Sequence, residues 1–579
     1  MSKCVYRSTP NMSEARKRGA GPSFRVDSGK FPPRLCDYLK NKKYSIKTFG
    51  CQANTRDEEI MAGYLETMGA LKGQGDELDI VIINTCAVRE NAEEKVYGEI
   101  GKYKALKEKK PSLVIAVCGC MMQEEEASKT IMLRYPYVSL IFGTHNVPEL
   151  PSLLDEAIFS THRLVDVKSF PGEVVEKMPS IRLDGNKAYV NISYGCDKFC
   201  TYCIVPYTRG RERSRKAVDI LNECQKLVDD GYKDITLLGQ NVNSYGKDLG
   251  DGTTFAKLLE DIAGTGIARL RFLTSHPWDF SLDIAEAMAR HQNIMKWIHL
   301  PVQSGSTDIL KKMGRRYTRE EYLTLVSNIR KIIPECALST DIIVGFPNET
   351  KEEFEDTLTL CEEVGFDSAF TFIYSPRKGT PAAAMLDNVS NEEKHRRFDR
   401  LHEAMEILTA KHSEEMVGQV YDVLVDGESK RDSLVLSGYS ESNKLFNFKG
   451  PSYLKGCIVK VKAVESHTYS IIGELVGDPL IYLANEVANT LKKEPIAKDY
   501  LKISHAIELD EELIASVKKL PELKKEMALS LSDKPKWEEA KRKYEETLSY
   551  LTNHPLLNNR DVLSPRCEEL LLEVKEAIS

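Results

Sequence analysis

Three cysteines in one short loop have the spacing with the clearest chemistry in this sequence. Cys196, Cys200 and Cys203 follow the pattern C-x3-C-x2-C. Three thiolates at this spacing can ligate three irons of a cubane 4Fe–4S cluster, whereas a cluster that only carries electrons usually takes four cysteines. The fourth iron is then open to chelate S-adenosylmethionine through its amino and carboxylate groups. One-electron cleavage of the sulfonium would give a 5′-deoxyadenosyl radical.

Two other interpretations of this loop have to be weighed. A structural zinc site needs four ligands, and neither a histidine nor a further cysteine lies close by to complete one. Cys200 and Cys203 alone could form a thioredoxin-like redox pair. That pair would leave Cys196 unexplained, and it does not open a helix in a βαβ pattern near the N-terminus. We therefore favour the cluster with an open iron.

A second group of cysteines follows successive strands of a predicted α/β domain, residues 43–168. The apolar runs predict strands at 44–49, 79–84, 113–118 and 138–142. Cys51, Cys86 and either Cys118 or Cys120 end the first three strands, and strand ends form the ligand-binding edge of an open parallel sheet. Singly, each could be a small buried apolar residue. Three at one topological position predict a second iron–sulfur cluster, with Cys120 preferred because it lies in the turn.

Residues 181–412 alternate strands and helices and predict a partial (β/α) barrel with parallel strands. The cluster loop follows its first strand. Active-site groups of such barrels lie at the carboxyl ends of the strands. Polar or glycine residues occupy those positions: Gln240, Asn241, His276, Gln303, Ser304, Asp341, Gly345 and Glu349. Each alone could cap an element, but together they predict a site.

Two segments have the composition of a nucleic-acid surface. Arg209, Arg211, Arg213 and Arg215 alternate after the cluster loop, which suits either one face presented to phosphates or a solvated charged strand. The segment 442–448 belongs to a predicted small β-barrel at 414–478. It includes Asn443 and Lys444 beside aromatic residues, a mixture that suits single-stranded RNA. Its alternating phenylalanines could equally be core residues.

Composition sets the wider frame. The chain has 579 residues, a net charge of −7 and 14 cysteines, which indicates several domains and reduced thiols in the cytoplasm rather than a secreted disulfide scaffold. No apolar run is long enough to span a bilayer, so we expect no membrane association. Residues 1–42 are basic and could be a transit peptide, but Pro32 and Pro33 with scattered glycines favour a disordered arm. The segment 480–579 has no glycine and reads as a helical extension, either stabilising or for a protein partner.

Over residues 43–478 the sequence resembles the methylthiotransferase branch of the radical S-adenosylmethionine enzymes, and within it the MiaB type. The matching motifs begin at Lys47, Asn84, Cys118, Gly195, Leu237, His299 and Thr340 and read KTFGCQAN, NTCAVREN, CGCMMQ, GCDKFCTYCIVPYTRG, LLGQNVNSY, HLPVQSGS and TDIIVGFP. Ala53 stands where methionine is commoner, and Tyr439 where arginine is usual. The extension faintly resembles the helical YlbF/YmcA family.

The resemblance implies an activity and its cofactors. It implies a methylthiotransferase domain, a radical barrel and a TRAM domain that engages tRNA, with two 4Fe–4S clusters, the second held by Cys51, Cys86 and Cys120. The implied reaction adds a methylthio group to C2 of N6-isopentenyladenosine beside the tRNA anticodon, with an electron donor and a sulfur source. Tyr202 would pack on the adenine of S-adenosylmethionine, while Gln240, Asp341, Gly345 and Glu349 would hold its ribose and methionine ends. Another methylthio acceptor, or RNA binding without turnover, remains an alternative.

Overall fold

The computed structural model describes residues 4–11, 15, 31–87, 90–429 and 432–578. The chain divides into two compact units, Met1–Val476 and Gly477–Ser579. The first unit contains a parallel α/β sheet, a partial (β/α) barrel and a closed β-barrel, and the second is helical. This is the predicted fold class, which is confirmed.

The N-terminal domain is built on a seven-stranded parallel sheet. Its strands lie in the spatial order Cys4–Ser8, Arg163–Asp166, Leu140–Phe142, Val114–Gly119, Ile80–Thr85, Lys43–Thr48 and Leu71–Lys72. The helices of this domain are Pro33–Leu39, Gln52–Thr67, Glu90–Lys109, Glu125–Arg134 and Leu150–Phe159. The strands Ile80–Thr85 and Val114–Gly119, near the middle of the sheet, are buried along their whole length. Continuous apolar strands of this kind are typical of a parallel sheet covered on both faces.

The structure corrects part of the predicted disordered arm, residues 1–42. Cys4–Ser8 forms an edge strand that pairs in parallel with Arg163–Asp166. The helix Pro33–Leu39 buries Leu35 and Leu39 completely. The prediction of disorder is wrong for these segments, because their apolar residues are covered by elements far along the chain. Residues 1–3, 12–14 and 16–30 of the predicted arm lie outside the described residues.

The second domain is an open barrel of six parallel strands in two three-stranded sheets. The strands are Lys187–Asn191, Asp234–Leu238, Arg269–Phe272, Trp297–His299, Ala337–Val344 and Ser368–Ile373. A bridge between Leu270 and Ile294 joins the two sheets, so the spatial order follows the chain order. The helices are Val205–Thr208, Ala217–Asp229, Phe255–Ala263, Leu282–Arg290, Thr307–Lys312, Arg319–Ile332, Lys351–Val364 and Asn391–Glu415. The main apolar core lies between these strands and helices.

The third domain of the first unit is a small closed barrel. Its five strands are Val420–Glu428, Val435–Tyr439, Leu445–Lys449, Ile458–Ser466 and Ser470–Leu475. Phe446 and Phe448 are almost completely buried inside it. Both are core residues, which is one of the two interpretations that their alternation in the sequence left open.

The second unit consists of helices. These are Pro479–Leu491, Pro495–Leu509, Glu511–Leu529, Lys534–Thr552 and Pro555–Ile578. Leu513, Leu523, Ala540 and Leu551 are buried in it. In the described parts of the chain, no helix has both the length and the apolar composition needed to cross a bilayer.

Candidate active site

Hydrogen bonds from three directions fix the loop that carries Cys196, Cys200 and Cys203. The Cys196 amide donates to the carbonyl of Gly210 at 3.1 Å, and the Thr201 amide donates to Met313 at 2.9 Å. The Gly195 amide donates to Oε1 of Gln240 at the end of the second barrel strand. The loop is therefore tied to its own return segment and to two other barrel loops.

The backbone of this loop needs unusual conformations. Gly195 has φ of +77°, and a Cβ at this position would lie 2.1 Å from the carbonyl oxygen of Arg211. Phe199, between the first two cysteines, has φ of +48°. Such conformations persist only where the surrounding structure enforces them, and they are common at functional sites.

The surroundings of Cys196 and Cys203 disfavour their free thiolates. Burial raises the pKa of Cys203 to about 12, and burial also raises the pKa of Cys196. Metal binding would therefore release protons from these groups. In the described residues, no three His, Cys, Asp or Glu side chains are close enough to bind one metal ion.

The register of the N-terminal sheet brings the second group of cysteines to one edge. Thr48 pairs with Asn84, and Asn84 pairs with Cys118, so three strand ends are level. Cys51, Cys86 and Cys120 follow these ends at the carboxyl edge. A side-chain network fixes the edge, because Asn54 donates to the carbonyl of Thr85 at 3.0 Å and receives a hydrogen bond from Asn84 on its own carbonyl at 2.8 Å.

The structure distinguishes the two cysteines of the third strand. The sulfur of Cys118 lies 3.8 Å from the sulfur of Met61, inside the core between the sheet and its helices. Cys120 instead begins the turn after the strand, and its sulfur accepts a hydrogen bond from Arg209. Burial raises the pKa of Cys120 to about 12 against the lowering effect of Arg209, so the free thiol is protonated. The guanidinium would stabilise the thiolate form that ligates metal. Cys120 therefore fits the second cluster.

The two cysteine groups adjoin each other across the boundary between the first two domains. Ile204 directly follows Cys203 and packs with Ala87 and Cys120 in a small buried cluster. Arg209, on the same segment, contacts Cys120 and forms a 2.7 Å ion pair with Asp57. The loop that carries Cys196, Cys200 and Cys203 and the segment that follows it thus contact the second cysteine group.

Several buried polar atoms at the carboxyl edge of the barrel have no hydrogen-bond partner among the described residues. These atoms are Ser193 Oγ, Asn241 Oδ1, Asn243 Nδ2, Ser275 Oγ, His276 Nε2 and Arg315 Nε. The amide of Trp278 donates to Nδ1 of His276 at 3.3 Å, which makes Nε2 the protonated nitrogen. Buried polar groups are normally satisfied. The edge therefore suits a ligand rich in polar groups, as S-adenosylmethionine is.

Tyr202 lies between the second and third cysteines and has an anchored ring. Its hydroxyl accepts a hydrogen bond from the buried guanidinium of Arg315 at 3.0 Å. The ring packs against an apolar cluster that includes Met313 and Phe346. Arg315 also donates to the carbonyl of Pro301 at 3.2 Å. Sequence reasoning missed Arg315, whose signal would have been its position beyond the fourth barrel strand.

The four other residues predicted to bind S-adenosylmethionine have different surroundings. Gln240 holds the amide of Gly195, as described above. Asp341 is half-buried, and its carboxylate lies 3.5 Å from Nε2 of His299. Glu349 is buried, accepts from the Gly345 amide at 2.7 Å and pairs with Arg397 at 2.8 Å. Glu349 thus locks the loop after the fifth strand, and burial raises its pKa.

The predicted arginine face is wrong for two of its members. Arg209 and Arg215 are each only 7% exposed. Arg215 pairs with Glu176 at 2.6 Å and with Glu223 at 2.7 Å. Arg213 is half-buried and donates to the carbonyl of Gly172, and Arg211, with a side chain 40% exposed, pairs with Asp197. The alternation does not form one face because the segment begins with the turn after the helix Val205–Thr208 and contains a strand of only two residues, Arg213–Ser214.

Asn443 and Lys444 also make internal contacts rather than a free basic surface. The side-chain oxygen of Asn443 accepts a hydrogen bond from Arg271 of the barrel at 2.9 Å. Nζ of Lys444 donates to the carbonyl of Thr468 at 2.8 Å, and burial lowers its pKa to about 8. The prediction of RNA contact at this pair is not supported by their surroundings, because both side chains hold the small barrel in place.

An exposed aromatic residue near the cluster loop was missed. Trp278 is 40% exposed and follows the third barrel strand. Nζ of Lys198, from the cluster loop, lies 4.3 Å from its ring centroid, and the guanidinium of Arg316 lies 4.7 Å away. A partly exposed indole with cations nearby suits base stacking beside phosphates.

Comparison with known proteins adds evidence of family. The Radical SAM superfamily matches residues 190–361, the Uncharacterized protein family UPF0004 matches residues 43–143, and the TRAM domain matches residues 414–476. The tRNA-2-methylthio-N(6)-dimethylallyladenosine synthase of Bacillus cytotoxicus is 52% identical over 474 residues, 81% of this chain and 93% of that protein. The protein of the same name from Geobacillus kaustophilus is 52% identical over 473 residues, 81% of this chain and 89% of that protein.

The chain belongs to the tRNA-2-methylthio-N(6)-dimethylallyladenosine synthase family. Membership of this synthase family confirms the resemblance found in the motifs. Among solved structures, the radical S-adenosylmethionine methyltransferase TsrM from Kitasatospora setae is 13% identical with a TM-score of 0.43, over 59% of this chain and 74% of that chain.

Proposed function

We propose that this chain adds a methylthio group to C2 of N6-isopentenyladenosine beside the anticodon of tRNA. The observation that carries the proposal is the pair of cysteine groups that adjoin each other through Ile204, Cys120 and Arg209. The family relatives bear the name of this reaction. The cofactors are two 4Fe–4S clusters and S-adenosylmethionine, and the reaction also needs an electron donor and a sulfur source.

The residues divide into two cluster sites. Cys196, Cys200 and Cys203 hold the first cluster, and they leave one iron open because the loop supplies three thiols. When bound, the clusters and S-adenosylmethionine supply abstraction of a hydrogen atom and transfer of sulfur with its methyl group. The second site takes Cys51, Cys86 and Cys120, which the sheet register places at one edge.

The barrel edge orients S-adenosylmethionine. Tyr202 is held by Arg315, and its ring would pack against the adenine. His276 is neutral, because burial lowers its pKa well below the usual range, and it offers Nε2–H as a donor. Asp341, Gly345 and Glu349 would hold the ribose and methionine ends, and the hydrogen bond from the Gly345 amide to Glu349 fixes their loop. Gln240 fixes the cluster loop through Oε1 and would also help to hold the ribose or methionine end.

The RNA surface is centred on Trp278. Lys198 and Arg316 lie near its ring. Lys198 is largely buried and pairs with Asp279 at 2.5 Å, as exposed Lys247 does at 2.7 Å, so exposed Arg316 is the cation proposed to contact phosphate. Cations beside a stacking ring provide the two contacts that an unpaired RNA loop needs. This surface takes the place of the predicted arginine face, Asn443 and Lys444.

The helical unit at 480–579 is assigned to a protein partner. Leu480, Ile481, Leu509 and Leu529 are among its exposed large apolar residues. Exposed apolar surface of this kind marks protein contacts. We also propose a cytoplasmic location, because cysteines that ligate iron–sulfur clusters have to stay reduced.

The proposal is tested by nucleoside analysis. Reconstituted protein, S-adenosylmethionine, reductant and sulfide are incubated with prenylated tRNA, and mass spectrometry should detect 2-methylthio-N6-isopentenyladenosine. The Cys200→Ala variant is the matched control and should form none. Product only with threonylcarbamoyl-adenosine tRNA, or RNA binding with neither product, would overturn the assignment.

A further inference from the structure

Two phenylalanines on the last barrel strand are unusually exposed. Phe370 is 59% exposed and Phe372 is 43% exposed. They lie on Ser368–Ile373, which pairs in parallel with Ala337–Val344 and ends the open barrel. Single exposed apolar residues are common, but two large rings adjacent on one strand face form a patch.

The alternation of the strand shows which way this patch faces. Ala369 and Ile373 pack against the core that lies beneath the surrounding helices. Because side chains of a strand alternate between its two faces, Phe370 and Phe372 face the inside of the barrel. The ring of Phe370 lies 6.0 Å from the ring of His299. His299 is on the strand Trp297–His299, which flanks Ala337–Val344 on its other edge.

The register places the patch near the cluster loop. Phe372 is paired with Ile343, one residue before the end of its strand. Ile343 packs against the same apolar cluster as Tyr202, which lies between two predicted cluster ligands. The patch therefore extends from the barrel interior towards the loop that carries the chemistry.

The groups next to the patch are polar. Phe370 is paired with Asp341, whose carboxylate lies 3.5 Å from His299, and Nδ1 of His299 lies 3.0 Å from Ser339. A polar ligand alone would need no apolar wall here. Two exposed rings beside polar groups suit a ligand with a polar ring and an apolar substituent.

We propose that Phe370 and Phe372 form the subsite for the isopentenyl group on N6 of the target adenosine. This inference rests on the proposed function, which brings a prenylated base to the barrel. The five-carbon chain is apolar, and transferring it from water onto the two rings is favourable. The subsite would make the protein select prenylated over unprenylated adenosine.

Paired binding measurements test the subsite. Two anticodon stem-loop RNAs are made that differ only in the isopentenyl group, and their affinities for the reconstituted protein are measured by fluorescence anisotropy. The wild type should bind the prenylated RNA more tightly by about tenfold or more, in the range that small apolar groups supply in binding pockets. The Phe370→Ser/Phe372→Ser variant should bind both RNAs with the affinity that the wild type has for the unprenylated one.

The control is a phenylalanine of similar exposure in the N-terminal domain. Phe159 is 43% exposed, and Phe159→Ser should keep the preference for prenylated RNA. A double variant that keeps the preference, or a wild type without any, would overturn the subsite. Nucleoside analysis distinguishes failure of the subsite from failure of the proposed function, because the wild type can still methylthiolate tRNA when the subsite assignment is wrong.

Discussion

Arg209 donates its Nε–H to the sulfur of Cys120 at 3.2 Å, and its terminal nitrogen binds Asp57 at 2.7 Å. Both charged side chains are buried. Arg209 also belongs to the segment that follows Cys203 and Ile204, so one guanidinium connects the radical-type loop with the second cysteine group. A hydrogen bond and a positive charge next to a ligating sulfur tune the reduction potential of a cluster.

We predict that Arg209→Gln lowers the reduction potential of the second cluster, because it removes a positive charge that favours the reduced form. The measurement is an EPR-monitored redox titration in the Cys196/Cys200/Cys203→Ala background, where only the second cluster is retained. A tenfold change in the one-electron equilibrium corresponds to about 59 mV, and we expect a shift of at least this order.

Arg215→Gln is the matched control for this charge. Arg215 has the same 7% exposure as Arg209 but pairs with Glu176 and Glu223. Its loss should leave the potential unchanged, and Arg209→Lys should give a smaller shift than Arg209→Gln. An unchanged potential in Arg209→Gln with full iron content would contradict the prediction.

The positions of the cysteines could be predicted from the sequence because they depend on strand periodicity. Apolar runs end just before Cys51, Cys86 and Cys120, and the parallel sheet aligns these ends. The surroundings of the basic residues could not be predicted in this way. Whether Arg209 meets water or Asp57 depends on the packing of two domains, which a local pattern does not encode.

Two further differences between the predicted and the observed structure have similar causes. Cys4–Ser8 is a short strand in a basic context, and its pairing depends on Arg163–Asp166 far along the chain. Trp278 carries no periodic signal, because it lies in a loop that only the barrel brings near Lys198 and Arg316. Tertiary contacts between distant segments decide all of these positions.

Gly119 gives a prediction about the second cluster site. Its φ is +101°, and an added Cβ would lie 2.3 Å from the carbonyl oxygen of Thr85. Gly119→Ala should displace the turn at Cys120, lower the melting temperature and lower the bound iron. Gly98→Ala is the control, because it lies in the helix Glu90–Lys109 with nothing within 4 Å of an added Cβ. Full iron content in Gly119→Ala would show that this turn does not position a ligand.

Glu124 gives a prediction about pH. Burial raises the pKa of its carboxyl to about 7, helped by the negative charge of Glu93 and opposed by Arg377. Between the unfolded value near 4.5 and about 7, the folded state binds more protons than the unfolded state. The stabilisation is therefore present at low pH and is lost as the pH rises through 7.

The Glu124→Gln variant should not show this pH-dependent loss of stability, because glutamine does not titrate. In thermal unfolding of the cluster-free protein, we expect the variant to melt about 2–4 °C above the wild type at pH 7.5 and to match it near pH 5. Glu108→Gln, at an exposed position of the helix Glu90–Lys109, should show no such crossover. A constant offset at both pH values would argue against titration of Glu124.

Trp278→Leu should weaken binding of the anticodon stem-loop by about 1–3 kcal/mol, the usual contribution of one stacked base. Trp278→Phe should retain most of the affinity, because it keeps an aromatic face. Arg316→Gln should lower the slope of log K against log salt by about one unit, as expected for one phosphate contact. Trp537→Leu, in the helical unit, is the control. Equal affinities for the Trp278 and Trp537 variants would exclude this surface.

The most direct test of the two-cluster account is the iron and sulfide content of anaerobically reconstituted protein, with EPR. We predict about eight irons per chain for the wild type and about four for either the Cys196/Cys200/Cys203→Ala or the Cys51/Cys86/Cys120→Ala variant. Cys118→Ala, which changes the core thiol beside Met61, should retain about eight. About four irons in the wild type and none in the Cys196/Cys200/Cys203→Ala variant would contradict the account, since the second cysteine group would then hold no cluster.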